Sequence, residues 1–92
     1  MVKKFKSKPL RRFYENDDAS GLRPDWIEPI REILSLLDQA SKPSDMDVAG
    51  FDLHPLRGDL KGFWSVRVNR NWRVVFRFDD DEATDVDLVD YH

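Results

Sequence analysis

The chain has 92 residues, no cysteine, and a formal charge of -3 from 15 Lys and Arg against 18 Asp and Glu. That length holds a single small core, and without cysteine there are no disulfides or thiolate metal sites, which suits a reducing cytoplasm. No stretch approaches the ~20 apolar residues of a membrane span, and the basic start MVKKFKSKPLRRFY lacks the apolar run of a secretory signal.

Taken in chain order, Val2 to Lys6 alternates apolar and basic residues, the pattern of a short edge strand. Ser7 is placed to cap a helix over Lys8 to Glu15, with Pro9 tolerated in its first turn and Leu10, Phe13 and Tyr14 on one face. Asn16 to Gly21 reads as a loop. Pro24 to Ala40 is the strongest helical segment: Trp26, Ile27, Ile30, Ile33, Leu34, Leu37 and Ala40 keep the spacing of one buried stripe. Pro29 interrupts it, so either the helix starts near Pro29 or a first turn from Pro24 is kinked there. Ser41 to Ala49 is a polar connection.

From Phe51 the period becomes two. Phe51 to Leu56 reads as a short strand carrying His54, stopped by Arg57-Gly58-Asp59. Trp64, Val66 and Val68 alternate with Ser65, Arg67 and Asn69. After a turn at Asn69-Arg70-Asn71, Trp72, Val74, Phe76 and Phe78 alternate with Arg73, Val75 and Arg77. This is a hairpin with one apolar and one cationic face. Asp79 to Glu82 makes the next turn, and Thr84, Val86 and Leu88 begin a last strand that ends at Tyr91-His92. Strand, two helices and four strands make an α+β domain, two helices on one face of a small, twisted, mainly antiparallel sheet.

The charge is distributed in blocks. Residues 1–14 hold six basic residues and no acid, and residues 15–52 hold three against ten acids. Residues 53–78 hold six basic residues against one acid, and residues 79–92 hold seven acids and no Lys or Arg. A partner meets a block and not the sum. Parity puts Arg67, Arg73 and Arg77 on one sheet face, with Arg57, Lys61 and Arg70 in the flanking turns, a set suited to phosphate contacts. Outer sheet faces are ordinarily just solvated, but carboxylates that would balance these cations are almost absent from the stretch.

Two histidines and no Cys exclude the common zinc sets, and the chain lacks HExxH, EF-hand, phosphate-loop and dinucleotide motifs, so no metal or cofactor is expected. His54 lies beside a loop, and His92 ends the chain after Asp90 and Tyr91. A lone histidine is ordinarily a surface or core residue, Tyr91 has a packing explanation, and Asp90 has one as a surface acid. Two groups titrating near neutrality plus a cation on the phosphate nevertheless suffice to cleave RNA at a 2′-hydroxyl.

Leu53-His54-Pro55-Leu56-Arg57-Gly58-Asp59, Gly62-Phe63-Trp64-Ser65-Val66, Asn71-Trp72-Arg73-Val74-Val75-Phe76 and Val89-Asp90-Tyr91-His92 occur in this order. Together with Phe5-Lys6, Leu10 and Phe13-Tyr14, they make the whole chain resemble the HigB killer-protein toxins of type II toxin–antitoxin systems, within the RelE superfamily. The resemblance implies a RelE-like fold and a ribosome-dependent, metal-independent mRNA endoribonuclease that acts in the aminoacyl-tRNA site of the small ribosomal subunit. It implies His54, Asp90, Tyr91 and His92 as active-site residues, with Arg73 neutralising phosphate charge. His54 and His92 would be the acid/base pair, Asp90 would orient a histidine, and Tyr91 would stack on a base or bond the phosphate. It also implies a HigA-type helix-turn-helix antitoxin, with operator DNA contacted only through that partner. Arg57, Lys61, Arg67, Arg70 and Arg77 are assigned to RNA by parity and position alone. The competing readings are a catalytically weak HigB-like binding module acting with its antitoxin in transcriptional autoregulation, and a ribonuclease independent of the ribosome. The acidic total and Pro29 fit the resemblance least well.

Overall fold

The computed structural model describes residues 1–90. Helix α1 (Lys8–Asn16) begins at Ser7, whose Oγ accepts the Leu10 N–H at 3.2 Å. It ends at Asp17, which takes the left-handed conformation that closes a helix, φ 54°. A 3-10 turn over Pro24–Trp26 leads into α2 (Ile27–Gln39). Pro29 therefore falls in the first turn of α2, where a backbone N–H would have no helical acceptor, so it removes nothing. Leu10, Phe13, Ile30, Ile33, Leu34 and Leu37 are buried against the sheet.

Four antiparallel strands in sequential order form that sheet: β1 (His54–Pro55), β2 (Trp64–Arg67), β3 (Trp72–Asp79) and β4 (Glu82–Asp90). Val66, Val74, Phe76, Ala83 and Val86 face the helices and are fully buried. The β2–β3 turn is tied by Asn69, whose Oδ1 accepts the N–H groups of Asn71 and Trp72, both at 2.9 Å.

Several elements differ from expectation. Val2 to Lys6 lies parallel to β4, bonding Lys3 N–H to Ala83 O and Lys6 N–H to Val86 O, both at 2.8 Å, but only Phe5 and Val86 form a bridge. The interruption is on β4: Asp85 has φ 52°, outside the extended region. Residues 41–49 are not merely polar, because a 3-10 turn over Pro43–Met46 drives Met46 fully into the core. The strand at 51–56 shrinks to His54–Pro55, since Asp52 also has φ 52°.

The β3–β4 ladder carries a β-bulge. Val75 pairs with Asp87 but Arg77 pairs with Thr84, so Asp85 and Val86 both stand opposite Phe76. The extra residue shifts the parity of β4. Ala83 and Val86, three residues apart, both reach the core, and Thr84 moves to the face of Arg77, away from the side shared by Val86.

Candidate active site

The sheet face away from the helices is not an open cationic surface. Asp52, His54 to Arg57 and Leu60 fold over it, and with Ser65, Arg73, Val75, Val89 and Asp90 they line a cleft of about 860 Å³. Ser65 and Val75 are buried on this side, and so is Arg73, at 9% exposure. In register, Arg67 and Arg73 stand directly opposite each other, a repulsive arrangement. They diverge: Arg67 stays exposed with Nε on Asn69 O at 3.2 Å, while Arg73 turns down into the cleft.

Among the described residues, Ser65 and Asp52 receive the Arg73 guanidinium. Its Nε donates to Ser65 Oγ at 2.8 Å and its Nη1 to Asp52 Oδ2 at 3.3 Å. Nη2 donates to the Asp52 carbonyl and lies 3.4 Å from the Ser65 carbonyl. His54 sits alongside, half in solvent, its Nδ1 3.4 Å from Nη2 of Arg73. That same Nδ1 is 2.9 Å from the Asp52 carbonyl and 3.5 Å from its Oδ1. The Asp52 carbonyl is nearer to Nδ1 than the Arg73 N–H is, and so favours the proton of neutral His54 on Nδ1, with the lone pair on Nε2. Asp90, the last residue of β4, lines the same cleft.

The cleft thus joins His54, Arg73 and Asp90, which come from three separate strands, the first and last of them 36 residues apart in the sequence. Tyr91 and His92 lie outside the described residues. Arg57 lines the rim, and Lys61 is exposed one turn beyond it. Arg70 is exposed in the β2–β3 turn beside a separate hollow shared with Arg23, Trp26 and Trp72. Arg77 keeps the parity of Arg73 but does not add an unbalanced charge to that face, because its Nε bonds Asp85 Oδ2, from the bulge on β4, at 2.7 Å. Its charge is balanced within the fold.

Sequence reading missed Asp52 and Ser65. Asp52 lies two residues before His54, and Ser65 is the small hydroxyl among arginines on the face that parity singles out. Ser65 carried a recoverable signal. Asp52 did not, because its role depends on a left-handed backbone that five aspartates of the chain adopt and that nothing in the local sequence marks at this one.

Chemically, the set presents an imidazole with a basic nitrogen next to a guanidinium in a partly water-excluding cleft. That pair can take up a proton and stabilise charge on a phosphate. Among the described residues, no group of three His, Cys, Asp or Glu side chains could hold a metal ion. No helix among them is long and apolar enough to cross a membrane.

The family model described as the RelE-like toxin of type II toxin–antitoxin system HigB matches residues 3–92. The chain belongs to the HigB-like toxin family. It is 35% identical over 92 residues to "Endoribonuclease HigB" of Proteus vulgaris, covering 100% of both chains. It is 39% identical over 85 residues to "Toxin HigB-1" of Vibrio cholerae serotype O1, covering 90% of each. In fold it is similar to a chain of the YoeB–YefM complex from Staphylococcus aureus, with a TM-score of 0.63 and 20% identity, covering 100% of this chain and 98% of that one. The α+β architecture of this HigB-like chain is that of the RelE-like toxins.

Proposed function

We propose that this HigB-like toxin is an mRNA endoribonuclease that acts on the ribosome and inhibits translation. The observation that carries the reading is the convergence of His54, Arg73 and Asp90 in one cleft, in a family whose relative in Proteus vulgaris is named an endoribonuclease. In the reaction, the 2′-oxygen of the message attacks the adjacent phosphorus while its proton passes to an imidazole. The 5′-oxygen leaves with a proton from a second acid, giving a 2′,3′-cyclic phosphate and a 5′-hydroxyl. Neutral His54 accepts at Nε2 and protonated His54 returns the proton, so it can serve on either side of a pair with His92. Arg73, beside His54, neutralises charge as it builds on the phosphoryl oxygens. Asp90 orients a histidine, and Tyr91 stacks on a base or bonds the phosphate. No metal enters the mechanism.

Arg57, Lys61, Arg67 and Arg70 are exposed cations that serve the RNA backbone of message and ribosome. Arg77 is omitted from that set because Asp85 occupies it. The partner is an antitoxin of the HigA type, with a helix-turn-helix that carries the pair to operator DNA, and the toxin acts in the cytoplasm. An antitoxin partner is in line with the YoeB–YefM complex that shares the fold.

Induced expression should arrest growth, and His54→Ala or deletion of His92 should each restore it. Because His54 is half-exposed, its replacement should change stability by less than ~0.5 kcal/mol. Purified protein should cut message in programmed ribosomes and leave naked RNA largely intact. Undiminished toxicity of both variants would refute the site. Equal cleavage of naked RNA would refute the ribosome dependence.

A further inference from the structure

We propose that Asp52 is a positioning residue for cleavage, which rests on the roles of His54 and Arg73 in that reaction. One residue holds both groups. Its carboxylate bonds Arg73 Nη1 at 3.3 Å, and its carbonyl takes Arg73 Nη2 and His54 Nδ1, the latter at 2.9 Å. A residue in an ordinary strand turns its carbonyl and side chain in different directions. Asp52 has φ 52°, and in this left-handed conformation its carbonyl and carboxylate reach the same guanidinium. The conformation is the device, and it explains why β1 begins only at His54.

Two consequences follow for the chemistry. Holding Nδ1–H on the carbonyl keeps the basic nitrogen at Nε2, the one available to a 2′-hydroxyl. Bracing Arg73 from Asp52 on one side and Ser65 on the other fixes the cation before substrate arrives. A group pre-aligned in this way loses little in reorganisation during the reaction. Asp52 itself need not touch the substrate.

Asp52→Asn and Asp52→Gly separate these roles. Asparagine tolerates the left-handed region and keeps an acceptor for Nη1. Glycine also reaches that region, but it no longer fixes the loop there and has no side chain to brace the guanidinium. The exposed loop site and the permissive backbone mean that both variants should fold. In the ribosome cleavage assay, Asp52→Gly should lower kcat by about ten- to a hundredfold, the scale of a lost orienting contact, with KM within about twofold. Asp52→Asn should stay within about threefold of the parent. Independently of activity, the ¹⁵N signals of the His54 ring should report the Nδ1–H tautomer in the parent and in Asp52→Asn, and a shift toward tautomer averaging in Asp52→Gly.

Parental kcat and unchanged ring signals in Asp52→Gly would overturn the proposal. So would an Asp52→Asn variant as impaired as Asp52→Gly, since charge and not alignment would then be the cause. A parent protein that cleaves nothing would refute the enzymatic reading, while the nitrogen spectra would still decide whether Asp52 sets the tautomer.

Discussion

Ser65→Ala tests the anchoring of Arg73 most cleanly. Ser65 is 1% exposed, and its Oγ accepts from Arg73 Nε at 2.8 Å. Alanine keeps the β-carbon and deletes only the acceptor, leaving a largely buried guanidinium N–H without its partner. Hydrogen bonds to charged groups contribute ~1.5–3 kcal/mol, and the Asp52 contacts that persist favour the lower half of that range, about 1.5–2 kcal/mol. For a domain of this length that is a fall in Tm of about 6–16 °C. Urea unfolding followed by tryptophan fluorescence should report it well, because Trp64 precedes Ser65 and Trp72 precedes Arg73. Arg73→Lys, alone and combined with Ser65→Ala, closes a double-mutant cycle whose coupling should be about 1 kcal/mol. A Ser65→Ala protein within ~0.5 kcal/mol of the parent, or a cycle with no coupling, would refute the anchoring.

Among the cations, Arg57→Ala, Lys61→Ala, Arg67→Ala and Arg70→Ala should each flatten the salt dependence of ribosome binding, by roughly one unit of log–log slope, in a His54→Ala background. Arg77→Ala should leave that slope unchanged, since Asp85 already holds its charge; equal losses for Arg67 and Arg77 would contradict the assignment. Tyr14 provides a pH test. Burial, and then its hydrogen bond to Asp38, raise its pKa above the ordinary 10.0. The folded state therefore favours the protonated phenol: its contribution is complete below pH 10.0 and is lost as pH rises through the higher folded value. Tyr14→Phe should cost about 1 kcal/mol at neutral pH, because the Val2 N–H loses its acceptor. It should also flatten the alkaline limb of a pH–stability curve. An unaltered limb would refute the role of Tyr14.

Periodicity alone determined the two helices, the β2–β3 hairpin and the core face of Val66, Val74 and Phe76, because burial along a regular element repeats at a fixed spacing. His54, Arg73 and Asp90 were legible from residue type and from family resemblance. Their meeting in one cleft was not, because that requires β1, β3 and the end of β4 to lie side by side in a particular register. Local backbone exceptions decided the rest. The left-handed Asp52 shortened β1 and brought two acceptors onto Arg73 and His54. The bulge at Asp85 and Val86 reversed the parity of β4 and neutralised Arg77. Period-two reasoning presumes an unbroken extended chain, and one added residue or one positive φ defeats it. The sequence by itself thus determined which residues are candidates for the chemistry, while only tertiary structure decided which of them meet in one cleft and which arginines are held inside the fold.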